Sequence, residues 1–314
     1  MASKKKLIHA QPSGNAFLGI MMKLLSVGCF SLMFIFLKAA DGVPAGELSF
    51  FRSFFGLIPV FVWTVFQGNF LGAFYTRNIV GHVSRGLFGT IAMFLYFFAL
   101  TFLPLPEVVA IGYGEPLILL ALSAIILREK VRFYRWSAVF IGLAGVLIIA
   151  WPRLTLLGSD NLDNGVRLGV VAVLLSTILT AIAMILVRKL VFTEKTPTII
   201  IYFMISSSVL SLLTVPFGWV KPDLYLVILL VVAGILGGVA QIFMTQAYRH
   251  AEASIVAPFD YTSIIWALLG GYFIFHETPT LHMVFGVVLV VASGMFIVGR
   301  EAHLKRIKNK TIST

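Results

Sequence analysis

Ten runs of apolar residues, each about as long as a helix that crosses a lipid bilayer, leave this chain few ways to fold. They cover roughly 17–38, 45–67, 79–101, 104–127, 133–151, 166–188, 198–219, 223–248, 252–275 and 280–299. At about 1.5 Å of rise per residue, runs of this length span a hydrocarbon core of ~30 Å. No ten-residue segment alternates apolar and polar side chains, which excludes the strands of a transmembrane barrel. Composition agrees, since 59% of the residues are hydrophobic and 12% charged, where a soluble domain carries about a quarter charged. The expected fold is an all-α integral membrane protein of ten transmembrane helices, numbered here as spans 1 to 10.

The net charge of +11 raises nucleic acid as a partner, but the placement of the basic residues excludes it. Lys and Arg flank the spans, and basic residues flanking spans set topology. With the N-terminus inside, seventeen Lys and Arg fall on that side and four (Lys38, Arg153, Arg167 and Lys221) on the other. This predicts cytoplasmic termini at both ends. Lys4, Lys5 and Lys6 precede an apolar run too long for the core of a cleaved signal peptide, so span 1 is expected to stay as a membrane helix. The lone Cys29 forms no disulfide framework.

The chain also repeats itself. A shift of 148 residues carries Gly86, Gly89, Ala92, Ala99, Val108, Tyr113, Leu120, Ile126 and Glu129 onto Gly234, Gly237, Ala240, Ala247, Val256, Tyr261, Leu268, Ile274 and Glu277 without a gap. The implied organisation is a tail (1–16), a first repeat (17–151), an external linker (152–165), a second repeat (166–299) and a basic tail (300–314). Five spans per repeat, an odd number, make the two repeats enter the membrane from opposite sides. Inverted repeats of this kind support alternating access around a site at their interface. Gly86, Gly89, Gly234 and Gly237 form small-residue stripes expected to pack helices closely.

Several short motifs now carry a family likeness. Glu47-Leu-Ser-Phe-Phe-Arg52 opens span 2, and Arg128-Glu129-Lys130 ends span 4. Gly142-Leu-Ala-Gly145-Val lies in span 5, His276-Glu277 ends span 9, and Gly286 and Gly294 lie in span 10. In their order and repetition the sequence resembles the drug/metabolite transporter superfamily, specifically its EamA-type ten-helix transporters. The resemblance covers about residues 17–299. It implies an inner-membrane carrier of small metabolites, with spans 5 and 10 peripheral and the others around a central cavity. Glu115, in Gly112-Tyr-Gly-Glu-Pro116, departs from the family by placing a carboxylate where an apolar or small residue is common, which suggests a specialised substrate.

Depth sorts the charged residues within the spans. Lys23 and Arg85 stand about a turn and a half from cytoplasmic helix ends and are expected to snorkel. Glu107 complements a helix dipole, and Glu129 and Glu277 are read as caps or interface partners. Glu115 and Asp260 sit mid-span and are too short to reach either surface, where an ionisable group is costly and often functional. Each adjoins a proline, Pro116 or Pro258, and irregular backbone at this depth survives only inside protein or beside a cavity. By the repeat, Asp260 matches position 112, three residues before Glu115, so both acids are expected to face one cavity. They are candidates to bind the solute or to carry protons. Arg52 is read either as a snorkelling residue or as a partner for Glu115 or a solute carboxylate. Tyr113, Tyr261, Tyr202, Trp266 and Gln241 supply rings and an amide at similar depth, suiting a zwitterionic or cationic metabolite with a flat ring.

His9, His82, His250, His276, His282 and His303 form no metal-ligand spacing, and no Ser-His-Asp set or ATP-binding loop is evident. Neither an enzyme nor a cofactor is expected, and transport must draw on a gradient. Export of an amino acid or related metabolite is the first expectation. The alternative is uptake of a ring-bearing solute such as S-adenosylmethionine or riboflavin, and a channel or interaction protein is the alternative outside the class.

Overall fold

The computed structural model describes residues 15–154 and 164–266, except 41, 69, 104–107, 109–110 and 130, with scattered positions as far as 303. Glu107, His276, Glu277, Gly294, residues 155–163 of the linker and the N-terminal lysines lie outside the described residues. Those described form helices joined by turns and short irregular segments, with no strand among them. Helices α1 (Ala16–Ala39), α2 (Ala45–Phe66) and α3 (Ile79–Ala99) follow spans 1 to 3. Next come α4 (Glu115–Ile126), α5 (Phe133–Leu154), α6 (Asn164–Leu190), α7 (Thr196–Leu212) and α8 (Leu224–His250). A four-residue α9 (Ala253–Val256) runs into a 3₁₀ segment at Ala257–Thr262.

Helix is the form these sequences must take in lipid, where each backbone N–H and C=O needs an internal partner. Local signals set the ends. The Asn78 side chain accepts from Gly81 N at 3.0 Å to start α3, and Asp223 accepts from Leu226 N at 2.8 Å to start α8. Pro197 sits in the first turn of α7, where its missing N–H costs nothing. Helices α1, α2, α3, α6 and α8 are long and apolar enough to cross a membrane, by length and composition. Exposed Leu168 and Ile178 on α6, Ile228 on α8 and Phe54 on α2 give these helices apolar outer faces, as lipid-facing surfaces have.

Spans 4 and 9 are not single helices. Tyr113 and Gly114 form a turn ahead of α4, and Pro258 falls in the 3₁₀ segment after α9. Gly112 and Gly114 ahead of Pro116 interrupt span 4 and Pro258 interrupts span 9, and in each the interruption carries a mid-span acid.

Packing between the halves is two-fold. Helix α1 packs on α8 as α6 packs on α3, and α2 packs on α8 as α7 packs on α3, while α2 and α7 meet each other. Two hydrogen bonds repeat the relation: Ser26 Oγ of α1 donates to Ala240 O at 2.9 Å, and Ser176 Oγ of α6 donates to Ala92 O at 2.6 Å. Ala92 and Ala240 are the positions paired by the 148-residue shift. Helix α5 packs outside this core, against α4 and the 3₁₀ segment.

The glycine stripe of α8 lies directly on α2. A Cβ at Gly234 would meet Phe51 O at 2.7 Å, and one at Gly238 would collide with the backbone carbonyl of Gly56. Neither obstacle is a flexible side-chain tip. Gly238→Val is therefore expected to cost about 1–3 kcal/mol or more through overpacking, read as a lower thermal unfolding temperature in detergent. An unchanged temperature would show that the α2–α8 contact yields without cost.

Candidate functional site

A cavity of about 290 Å³ lies at the interface of the two halves. Its walls come from α1, α2, α3, the start of α4, α6, α7, α8 and the 3₁₀ segment.

One wall is acidic. Asp260, on the 3₁₀ segment, and Glu115, the first residue of α4, both line the cavity and feel each other's charge. Lys23 of α1 reaches Asp260, Nζ to Oδ1 at 2.7 Å, and lies 5.4 Å from the centre of the Tyr248 ring. The second Asp260 oxygen is buried without a hydrogen bond. Glu115 has no hydrogen-bond or ion-pair partner among the described residues. Beside them Tyr113 exchanges a hydrogen bond with Ser263 Oγ at 2.8 Å.

A second region is basic. Arg52 of α2 and Arg85 of α3 both line the cavity and lie against the Phe203 ring of α7, their guanidinium carbons 5.4 and 3.9 Å from its centre. Both are about 95% or more buried, and the Nε and Nη1 atoms of each have no hydrogen-bond partner. No carboxylate pairs with either one among the described residues. Gly89 makes room for this arrangement, because a Cβ there would occupy the space of the Arg85 guanidinium. Gly86 packs against Ser206 of α7. Gly237 faces Met33 and the stem of Arg52.

Of the eight residues expected at the site, Glu115, Asp260, Tyr113, Arg52 and Gln241 line the cavity. Three do not. Tyr261 lies behind Tyr113, ring edge to face at 5.6 Å, packed on Gly142 of α5. Trp266 is 39% exposed and packs on Gly28 of α1. Tyr202 stacks on His82 at 4.6 Å and donates to Phe74 O at 3.0 Å, away from the cavity. Depth alone placed these rings, and helix rotation decided otherwise.

Lys23 and Arg85 correct the expectation of snorkelling, since both are 3% exposed and point into the cavity. The signal was present in the sequence. Lys23 is seven residues from the start of α1, about 10 Å along the axis, farther than its stem comfortably extends. Tyr96, Phe34 and Phe203 also line the cavity, and nothing in an apolar run this rich in aromatics singles them out.

Near the chain ends of these helices that carry Arg77, Arg132 and Lys195, a second set of contacts ties the halves together. Arg128 takes a left-handed backbone conformation, φ 54°, that turns the chain after α4. Glu129 then accepts from Ala253 N and Ser254 N at 3.1 Å and from Ser254 Oγ at 2.9 Å, capping α9. It also pairs with Arg188 at 3.4 Å, and Arg135 of α5 pairs with Glu252. Glu129 is thus a cap and an interface partner, with Arg188 rather than the neighbouring Arg128 as its ion pair.

A bundle of apolar helices in two related halves, enclosing a charged cavity at their interface, defines a polytopic membrane carrier. The chain belongs to the EamA-like transporter family, whose model matches residues 17–151 and again 167–299. It is 27% identical over 255 residues to an S-adenosylmethionine uptake transporter of Rickettsia prowazekii, covering 81% of this chain and 83% of that one. It is 26% identical over 280 residues to the pseudopaline exporter of Pseudomonas aeruginosa, covering 88% and 94%. An uncharacterised transporter of Helicobacter pylori J99 is 29% identical over 298 residues, covering 92% and 97%. A protein of known crystal structure superposes with a TM-score of 0.77 at 18% identity, over 91% of this chain and 98% of that one, a likeness of fold. The protein is a multi-pass membrane transporter of small metabolites.

Proposed function

We propose that this transporter moves zwitterionic metabolites carrying an amino-acid group and a flat ring, with S-adenosylmethionine as the leading candidate. The observation that carries this assignment is a pair of unpartnered buried guanidiniums in a cavity that also holds two carboxylates. A buried charge without a counter-ion is costly, so Arg52 and Arg85 are built to receive an anionic group from outside the protein. A carboxylate meets their planar forks well. Glu115 and Asp260 serve the cationic groups, and Phe203, Tyr96 and Phe34 provide faces for a ring. S-adenosylmethionine presents each of these features, and the similarity to S-adenosylmethionine uptake transporters supports the class.

Transport proceeds by alternating access, the repeats rocking about the cavity, and its direction follows the solute and ion gradients. Protons are candidate coupling ions through the two acids. The chain performs no catalysis in this scheme. The excess of Lys and Arg on one side supports cytoplasmic termini at both ends, the family likeness supports an inner-membrane location, and the 148-residue repeat supports repeat boundaries at 17–151 and 166–299.

The test is solute-induced thermal stabilisation of the purified protein with S-adenosylmethionine, free amino acids and riboflavin. S-adenosylmethionine is expected to stabilise it, and Arg52→Gln or Arg85→Gln to weaken that binding at least tenfold. Stabilisation by riboflavin alone, or binding indifferent to both substitutions, would overturn the assignment.

A further inference from the structure

Lys23 is the one cavity cation that already has a partner. It stands on α1 of the first repeat, and Asp260 stands on the 3₁₀ segment of the second, so their 2.7 Å contact bridges the elements that meet at the cavity. Lys23 is inside the cavity wall, 3% exposed, and its ammonium is stacked over Tyr248. Only one Asp260 oxygen is used, and the other stays without a hydrogen bond. Arg52 and Arg85, by contrast, carry charge that waits for a partner. Among the described residues the cavity thus has two cations that no carboxylate of the protein pairs and one acid that a lysine of the protein does.

We infer that Lys23 is the resident counter-ion of Asp260, holding in the empty carrier the place that a cationic group of the solute takes in the loaded one. The inference rests on the carrier assignment above. Its physical basis is the cost of a bare carboxylate away from water. A carrier that returns empty must carry its acids through the occluded state without solute, and Lys23 makes that passage possible at Asp260. A lysine suits the task because its ammonium is a single point charge on a flexible four-carbon stem. It releases one oxygen by simple rotation, whereas a forked guanidinium would have to give up two bonds. The free Asp260 oxygen gives an incoming cation its first contact before Lys23 leaves. A solute with two cationic groups then engages Glu115 and Asp260 together, and one with a single cationic group needs only Glu115 and leaves Lys23 in place. Lys23 is in this way a selector for dicationic solutes as well as the device that permits net transport.

The experiment compares wild type and Lys23→Met in proteoliposomes, using S-adenosylmethionine as the probe. Uptake is measured into vesicles that are empty and into vesicles preloaded with the same compound. Lys23→Met is expected to lose at least tenfold of its net uptake while exchange stays within threefold of wild type, because a loaded Asp260 needs no lysine. The double variant Lys23→Met/Asp260→Asn removes both charges and is expected to unfold at a temperature closer to wild type than Lys23→Met does, while its uptake stays as low as that of Asp260→Asn. Net uptake and exchange falling together, or neither falling, would overturn the inference. A second readout needs no solute: dicyclohexylcarbodiimide modifies protonated carboxyls in apolar sites, followed by mass spectrometry. A buried acid stripped of its counter-ion neutralises itself with a proton, so Asp260 is expected to be modified in Lys23→Met and spared in wild type. Equal modification of the two proteins would refute the counter-ion role. If wild type carries no S-adenosylmethionine, the proposed solute falls, and the modification experiment still decides the role of Lys23.

Discussion

Glu115→Gln is expected to lower the initial rate of S-adenosylmethionine uptake about a hundredfold while leaving the thermal unfolding temperature unchanged. Truncating one partner of a desolvated charge pair costs roughly 2–5 kcal/mol, and about 1.4 kcal/mol is a factor of ten, so a loss near hundredfold is the central expectation. Stability should not change, because the Glu115 carboxylate has no hydrogen-bond or ion-pair partner among the described residues and the glutamine is nearly isosteric. Asp260→Asn loses uptake to the same degree and differs in stability. It leaves the Lys23 ammonium buried opposite a neutral amide, and breaking one side of a buried pair costs about 3–5 kcal/mol. Uptake in proteoliposomes and a thermal scan in detergent separate the two effects. Retention of more than a third of wild-type uptake by both variants would remove the acids from the site.

The sequence announces the fold more fully than it does the cavity, and the reason is physical. Span length, the excess of basic residues on one side and the 148-residue repeat report on lipid as a solvent, which acts on whole segments. They are enough for two five-span halves and for the interruptions at Gly112-Tyr-Gly-Glu-Pro116 and Ala257-Pro258. The cavity depends on helix rotation, and in helices apolar all round no amphipathic stripe reveals which face turns inward. Tyr202 and Tyr113 look alike in the sequence, yet one stacks on His82 and the other lines the cavity. The repeat is also least informative where function lies. Under the same shift Arg85 matches Ala233, Asp260 matches Gly112, and Glu115 matches Ser263. The scaffold positions kept their identity in both copies, and the charged positions diverged. Divergence between copies within a span, with charge in one of them, is a signal that marks Arg85 beside the two acids, and it marks Lys23 (matching Val171) and Arg52 (matching Ile200) as well.

Glu129→Gln is expected to lower the unfolding temperature on the order of 10 °C. Glu129 stands between α4 and α5 and serves α9 and α6 of the other repeat at once. It takes both backbone N–H groups at the start of α9 and pairs with Arg188, and the two side chains are 7% and 4% exposed. A glutamine keeps one acceptor, directs an NH₂ at a backbone donor and leaves the Arg188 charge without its anion. Breaking a buried pair in this way costs about 3–5 kcal/mol, and in a chain of this size each kcal/mol moves the midpoint by roughly 2–4 °C. The Arg188 guanidinium still donates to the Tyr248 carbonyl, so the loss falls short of full orphaning. The double variant Glu129→Gln/Arg188→Met removes the stranded charge and is expected to recover at least half of the loss, measured as a double-mutant cycle in the same scans. Additive losses would mean that Glu129 works as a cap alone, and that the two repeats are joined at this end by hydrogen bonds to α9 without help from the ion pair.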